Sequence, residues 1–280
     1  RARPRGRAGV RTYFAYFTAR FRAQLQYRAA ALAGVGTQIF FGIVNIMVIT
    51  AFYGVSGGDQ PLSASQAVSY IWLAQALLLV LPFRLDREIT HLIRTGDVAY
   101  ELARPVSLPL AWLARGVADR TAPVLLRMVP QLLFSAVVLR LVGWEEIALG
   151  APASAGAGLL AALSAVAGAA VSAGIGLIAC ATLFWTIAGA GTSVFFSTTI
   201  WLLSGVTIPL PLFPDWIQPL IRVLPFRAMI DVPFQIYLGT IAGASIALEI
   251  ATQLAWALTL AGLASLMIAR GTRRVEVQGG

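Results

Sequence analysis

The sequence of 280 residues contains no lysine; all 21 of its basic residues are arginine. A P-loop needs a lysine to reach the β- and γ-phosphates, so this chain is not itself a P-loop ATPase. Lysine Schiff-base and lysine-nucleophile chemistry are excluded on the same ground. Cysteine and histidine each occur once, as Cys180 and His91. One cysteine permits no intrachain disulfide, and one histidine permits neither an HExxH site nor a multi-histidine metal centre. Charge is scarce as well. Only 12% of residues are charged, where a soluble domain carries about 25%.

What remains is apolar. The hydrophobic share is 58% and the formal net charge is +9. This is the composition of a polytopic membrane protein. A basic balance can signal nucleic acid. Here the arginines flank apolar runs, so topology accounts for them and no nucleic-acid partner is expected.

The expected architecture is a single all-α membrane domain over residues 1–280 with six spans. A crossing of about 30 Å needs about 20 apolar residues. Runs of that kind lie at 29–53, 66–83, 121–142, 155–180, 188–208 and 245–269. Residues 1–12, with Pro4, Gly6 and Gly9, read as a disordered basic tail. Over residues 13–28, Phe14, Phe17, Phe21 and Leu25 recur at helical spacing between Arg20, Arg22 and Gln24. That pattern fits an amphipathic helix in the headgroup layer, or a cytosolic extension of the first span. In the fourth run, Ser164, Gly168, Ser172 and Gly176 repeat at every fourth position, a ridge suited to close helix packing. Cys180 continues it as a buried thiol. Arg127 and Arg140 lie near the ends of the third run, where they can snorkel.

Two segments between the spans are unusual. Residues 84–120 hold six arginines and five acids and are too polar for a bilayer. A helical run from Leu85 to Arg94 is punctuated by Gly96, and Asp97 can cap a short helix, Val98 to Ala103, before Pro105. Val98, Tyr100 and Leu102 then offer apolar contact, with Asp97, Glu101 and Arg104 as a polar rim. Residues 209–240 carry six prolines, which forbid one continuous helix. Yet the stretch is too apolar for an ordinary loop, so short helices dipping into the interface are expected. Glu249, in the last run, fits either a headgroup position or a functional intramembrane acid.

The arginines orient the chain. Residues 1–28 have eight, residues 84–120 six and the C-terminus three, while the opposite loops have only Arg222 and Arg227. The positive-inside rule then puts both termini and residues 84–120 in the cytoplasm. Catalysis is not expected. Ser204 in LLSGVT lacks a base, because His91 falls on the cytoplasmic segment. The paired acids Asp86/Glu88 and Glu145/Glu146 read as solvated loop charges.

Two motifs together carry a family resemblance. One is the run Ile93 to Val106, reading IRTGDVAYELARPV, between the second and third spans. The other runs from Ser204-Gly205 to Leu238-Gly239. It contains Ile208-Pro209, Leu212-Phe213-Pro214-Asp215-Trp216, Leu224-Pro225-Phe226 and Pro233. In this order among six spans they resemble an ABC-2 type transporter permease, type V exporter-like, of the bacterial drug-exporter-like subgroup.

The resemblance implies a multi-pass protein of the bacterial cytoplasmic (inner) membrane. It would pair with a second permease chain, as homo- or heterodimer, and dock on separately encoded ABC ATPase subunits. ATP and Mg would be bound by those subunits, with no cofactor in this chain. The N-terminal helix and the loop helices would contact the ATPase. That assigns coupling to Gly96, Asp97, Val98, Tyr100, Glu101, Leu102 and Arg104. Re-entrant outer helices before the sixth span would include Pro209, Phe213, Pro214, Trp216, Pro225 and Phe226. Asn45, Trp72, Gln75, Phe195 and Trp201 become candidates for the pathway, although the residues themselves favour a helix–helix hydrogen bond for Asn45 over a substrate contact. The expected function is the permease half of an ATP-driven exporter of a hydrophobic or amphipathic compound. The alternative is an ATPase-independent membrane protein, a secondary transporter or scaffold. Carriers of that kind bury ionisable residues at mid-bilayer, and the span centres here lack acids.

Overall fold

The structure is a computed structural model that describes residues 9–55, 60–186 and 189–274. Most of the basic tail (1–8), Gly57 and Gly58 of the first loop, the Ile187-Ala188 link and residues 275–280 lie outside the described residues. Every regular element among the described residues is helical. In chain order the α-helices are α1 (Val10–Gln24), α2 (Arg28–Val55), α3 (Ala64–Ala76), α4 (Arg87–Thr95), α5 (Val98–Leu102) and α6 (Leu108–Leu133). Then come α7 (Leu139–Leu141), α8 (Ala155–Ala181), α9 (Gly189–Leu203), α10 (Gln218–Val223), α11 (Arg227–Leu238) and α12 (Ala244–Gly271). A π-helical segment, Phe134–Val138, joins α6 to α7 without a break.

Among the described residues, four stretches are long and apolar enough to cross a membrane: Ala31–Val55, Leu108–Leu141, Ala155–Phe184 and Ala244–Arg274. The third of these is the axis of the bundle. Within its most apolar window 78% of residues are buried, against 17–28% in the other three. It packs on α6, α11 and α12. Such contact needs small residues, and the four-residue ridge supplies them. A Cβ on Gly168 would fall on the carbonyl oxygen of Met229 in α11, and one on Gly176 would strike the Arg120 guanidinium. Ser164 and Ser172 are fully buried and hydrogen-bonded across the bundle. Gln253 of α12 completes the packing. Its amide donates to the carbonyls of Ser164 (3.1 Å) and Ala228 (2.8 Å), and its oxygen accepts from the Ser164 hydroxyl (2.8 Å). Interhelical hydrogen bonds of this kind substitute for the hydrophobic effect where lipid is as apolar as leucine.

Two expected spans are shorter as helices than as apolar runs. The run 66–83 becomes α3, 13 residues opened by a Ser63/Gln66 capping box. It tightens into a 3-10 turn at Leu78–Val80 and stops at Leu81, which is extended (φ −72°, ψ 133°). Pro82 explains the stop, because a proline disfavours helical backbone in the residue before it. The run 188–208 becomes α9, 15 residues, ending before Ser204 and Gly205.

Two helix starts differ from the expected boundaries. α1 begins at Val10, inside the stretch expected as tail, and a turn at Gln26 separates it from α2. The helix expected at 121–142 starts at Leu108, after Ser107 and with Pro109 in its first turn. Proline is favoured there because its missing N–H has no partner to lose. Residues 209–240 fold into a 3-10 turn (Leu210–Leu212), α10 and α11, short helices as the prolines required. Within this stretch Pro209 and Pro225 are buried, Phe213 and Phe226 half-buried, and Pro214 and Trp216 exposed.

Candidate functional site

The arginine-rich end of the bundle is built by α1, α4, α5 and the first half of α6. α4 starts on Asp86, whose carboxylate accepts the N–H groups of Glu88 (2.9 Å) and Ile89 (3.0 Å). It stops at Gly96, whose φ of 80° lies in the left-handed region that favours glycine at a helix C-terminus. Ile89 and Ile93 of α4 and Val98 of α5 are buried against Trp112, Leu177, Ala181 and Ile268. Both short helices are therefore seated on the ends of α6, α8 and α12.

A chain of alternating charges ties the four helices together. Asp119 of α6 accepts from Arg20 (2.7 Å) and Gln24 (2.6 Å) of α1. Arg20 also reaches Glu88 of α4 at 3.1 Å, and Glu88 pairs with Arg115 of α6 at 2.8 Å. Arg115 continues to Glu101 of α5 at 2.8 Å, and Glu101 holds Arg104 at 3.2 Å and accepts from the Trp112 indole at 2.9 Å. The Tyr13 hydroxyl of α1 accepts the Ser107 N–H at 3.1 Å. The hydrogen bond to Asp119 raises the pKa of Arg20, against some loss from burial. The hydrogen bond with Tyr16, and then the charge of Glu101, raise that of Arg104. Both cations therefore hold their charge in these pairs.

The seven residues expected at a coupling surface divide. Tyr100 is 78% exposed and Leu102 39% exposed, with Arg104 beside them. Val98 is fully buried, and Glu101 is turned inward onto Arg115 and Trp112, so neither belongs to an outer contact face. Asp97 does not cap α5. Its backbone is already helical (φ −63°, ψ −11°) and its carboxylate accepts from the Thr95 hydroxyl at 2.7 Å. Asp86 is the capping acid instead. Beside this face, Arg84, Arg87, His91 and Arg94 line an open cleft of about 600 Å³ with Ser193 of α9.

The pathway candidates also divide. Phe195 (66%) and Trp201 (46%) are exposed on α9, and Asn45 is half-buried on α2. Trp72 and Gln75 are inside the chain. The Trp72 indole donates to the Ile147 carbonyl at 2.7 Å, and the Gln75 carbonyl accepts from Gln38 at 3.0 Å. They hold α3 to its neighbours and face no open surface.

At the other end of the bundle lies a cluster that sequence reasoning missed. Asp231 of α11 is fully buried. It accepts from the Tyr70 hydroxyl (2.8 Å) and the Gln235 amide (2.6 Å), and Arg227 lies 3.5 Å away. Arg227 also pairs with Glu249 of α12 at 3.2 Å. Glu249 is thus a partner for a buried arginine. The available signal was an arginine and an aspartate four residues apart within an apolar run, which places them on one helix face.

Comparison with known proteins found no match among curated proteins and none among solved structures. The family described as "ABC-2 family transporter protein" does match, over residues 35–279. That span covers the whole bundle except α1 and the start of α2. The chain belongs to the ABC-2 family of transporter permeases, membrane components that associate with ABC ATPases.

Proposed function

We propose that this chain is the permease subunit of an ABC exporter in a bacterial cytoplasmic membrane. It crosses six times, α3 and α9 with their flanking turns supplying the second and fifth crossings, and both termini face the cytoplasm. It forms the pathway with a second permease chain and is driven by separately encoded ATPase subunits. The cargo is hydrophobic or amphipathic, in keeping with an apolar wall that includes Phe195 and Trp201.

The observation that carries this reading is the charged chain that joins α1, α4, α5 and α6 while leaving Tyr100 and Leu102 exposed. A motorless permease must receive force through a cytoplasmic surface. Helices held to one another and seated on α6, α8 and α12 can pass a displacement into the bundle as one body. The ATPase-independent alternative would need an acid free to bind an ion at mid-bilayer. Asp231, the one fully buried acid among the described residues, is instead held by Arg227, Tyr70 and Gln235.

Topology and partnership are tested together. Cys180 is replaced, and single cysteines are placed at Thr95 and Trp216. In sealed cells an impermeant thiol reagent should label the Trp216 position and spare Thr95. The chain should co-purify with an ABC ATPase expressed beside it. Labelling at Thr95, or a chain that never retains an ATPase, would contradict the assignment.

A further inference from the structure

Beside the charged chain lies a second cleft, of about 970 Å³, between α6, α9 and the segment that follows α3. Five arginines line it: Arg20, Arg84, Arg87, Arg120 and Arg127. Its three acids are already engaged. Asp86 caps α4, Asp119 holds Arg20 and Gln24, and Glu88 holds Arg20 and Arg115. Among the described residues, Arg84, Arg87, Arg120 and Arg127 have no carboxylate at ion-pairing distance.

The four cations are arranged in depth. Arg84 and Arg87 are exposed at the rim. Arg120 and Arg127 are half-buried on α6. Their separation of seven residues places them on one helix face, about 10 Å apart along the axis. Arg120 donates to the Ser172 hydroxyl and the Gly116 carbonyl, both at 2.9 Å and both uncharged acceptors. Arg127 lies against Gly34, and its Nε is buried without a hydrogen-bond partner. Buried guanidinium N–H groups without an acceptor are costly, so an anion entering here gains more than one at an open surface. Apart from Ser197, the rest of the wall is apolar. Leu78, Leu79, Leu81 and Phe83 contribute, and Trp201 stacks on Phe83 with ring centroids 4.7 Å apart.

We propose that this cleft binds the phosphate headgroup of a membrane amphiphile. The guanidinium ladder from Arg84 and Arg87 to Arg120 and Arg127 takes the phosphate, and the Phe83/Trp201 wall takes the first part of the tail. Guanidinium matches phosphate through paired N–H groups, and an apolar wall beside it excludes a fully hydrated ion. The claim goes beyond the permease reading and does not depend on an ATPase, since it concerns binding by this chain alone.

The test uses the full chain in neutral detergent and a tail-fluorescent, short-chain phosphatidic acid. The matching phosphatidylcholine is the zwitterionic arm, and inorganic phosphate is the free-anion arm. Phosphatidic acid should bind saturably and about tenfold more tightly than phosphatidylcholine, the scale of one charge-assisted contact. Inorganic phosphate at equal concentration should not displace it. Arg127→Gln should weaken binding by about tenfold, and Arg84→Gln with Arg87→Gln by about threefold, because rim charges are screened. The rim pair is exposed, so its variant keeps the fold even where Arg127→Gln does not. Arg222→Gln, on α10 away from the cleft, should change nothing. Equal binding of the two lipids would overturn the proposal. So would displacement by inorganic phosphate, or unchanged affinity in the rim variant.

Discussion

The two ends of the bundle solve the same problem of holding opposite charges, at different dielectric cost. At the arginine-rich end, Arg20, Glu88, Arg115, Glu101 and Arg104 form a chain of pairs that reaches solvent; the Glu88 side chain is 45% exposed. At the other end, Arg227 and Asp231 are 11% and 1% exposed. Exposed pairs contribute about 0–1 kcal/mol each. A buried pair adds little over an apolar replacement, but removing one partner strands a charge at about 3–5 kcal/mol. The outer pairs of this chain, such as Arg20–Glu88, are screened and individually weak, while its inner pair Arg115–Glu101, 15% and 12% exposed, keeps α5 on α6, so the four helices can move together as one surface. The buried cluster resists change and fixes α11 to α3 and α12.

Substitutions can break that contrast. The largest effect is expected from Asp231→Ala, which leaves Arg227 with Glu249 alone. It should lower stability by about 3–5 kcal/mol, read as a large drop in melting temperature or loss of the folded protein from detergent extracts. A cluster that merely decorates the surface would show no such drop. Next is Gly168→Leu, which forces α11 off α8 and should cost about 1–3 kcal/mol or more. Its signature is poor assembly, with cargo preference unaltered in whatever protein survives. Glu101→Gln should be milder at about 1–2 kcal/mol, because Trp112 keeps an acceptor while Arg115 and Arg104 lose a charge. Its effect should appear more in ATPase coupling than in melting. Arg20→Gln should move stability least, by about 0.5–1 kcal/mol, and the change should shrink further in high salt. If Arg20→Gln proved as damaging as Asp231→Ala, the contrast between the two ends would be wrong.

Much of this was legible in the sequence. Apolar runs gave the four long helices, because burial in lipid demands continuous hydrophobicity. Prolines gave the broken segment after α9, and the four-residue ridge gave the face that α11 presses against. Where the structure differs from these expectations, the reason is physical. The start of α6 was missed because Arg115, Asp119 and Arg120 suggested a loop. Placed on a helix, Arg115 and Asp119 lie one turn apart, Arg115 pairing with Glu88 of α4 and Asp119 with Arg20 of α1. The inward faces of Val98 and Glu101 are not legible in the sequence, because a five-residue helix gives too little periodicity to tell its faces apart. Trp72 and Gln75 resembled pathway residues by type; only the packing of α3 against α2 and α6 shows them to be internal. Arg227 and Asp231 share one face of α11 by local spacing, but the Glu249 arm of their cluster depends on a contact between α11 and α12 that no local pattern encodes.

The central claim is that the arginine-rich end docks the ATPase through the side chains it leaves exposed. The most direct measurement uses Tyr100→Ala with Leu102→Ala, both at exposed positions and outside the charged chain. ATPase retention on the purified permease and the transport-linked hydrolysis rate are measured together with the melting temperature. Docking through this face predicts an unchanged melting temperature and loss of retention and stimulated hydrolysis by about tenfold or more, as expected when two apolar anchors leave an interface. A variant that melts like the parent and still retains and stimulates the ATPase at the parental level would contradict the claim.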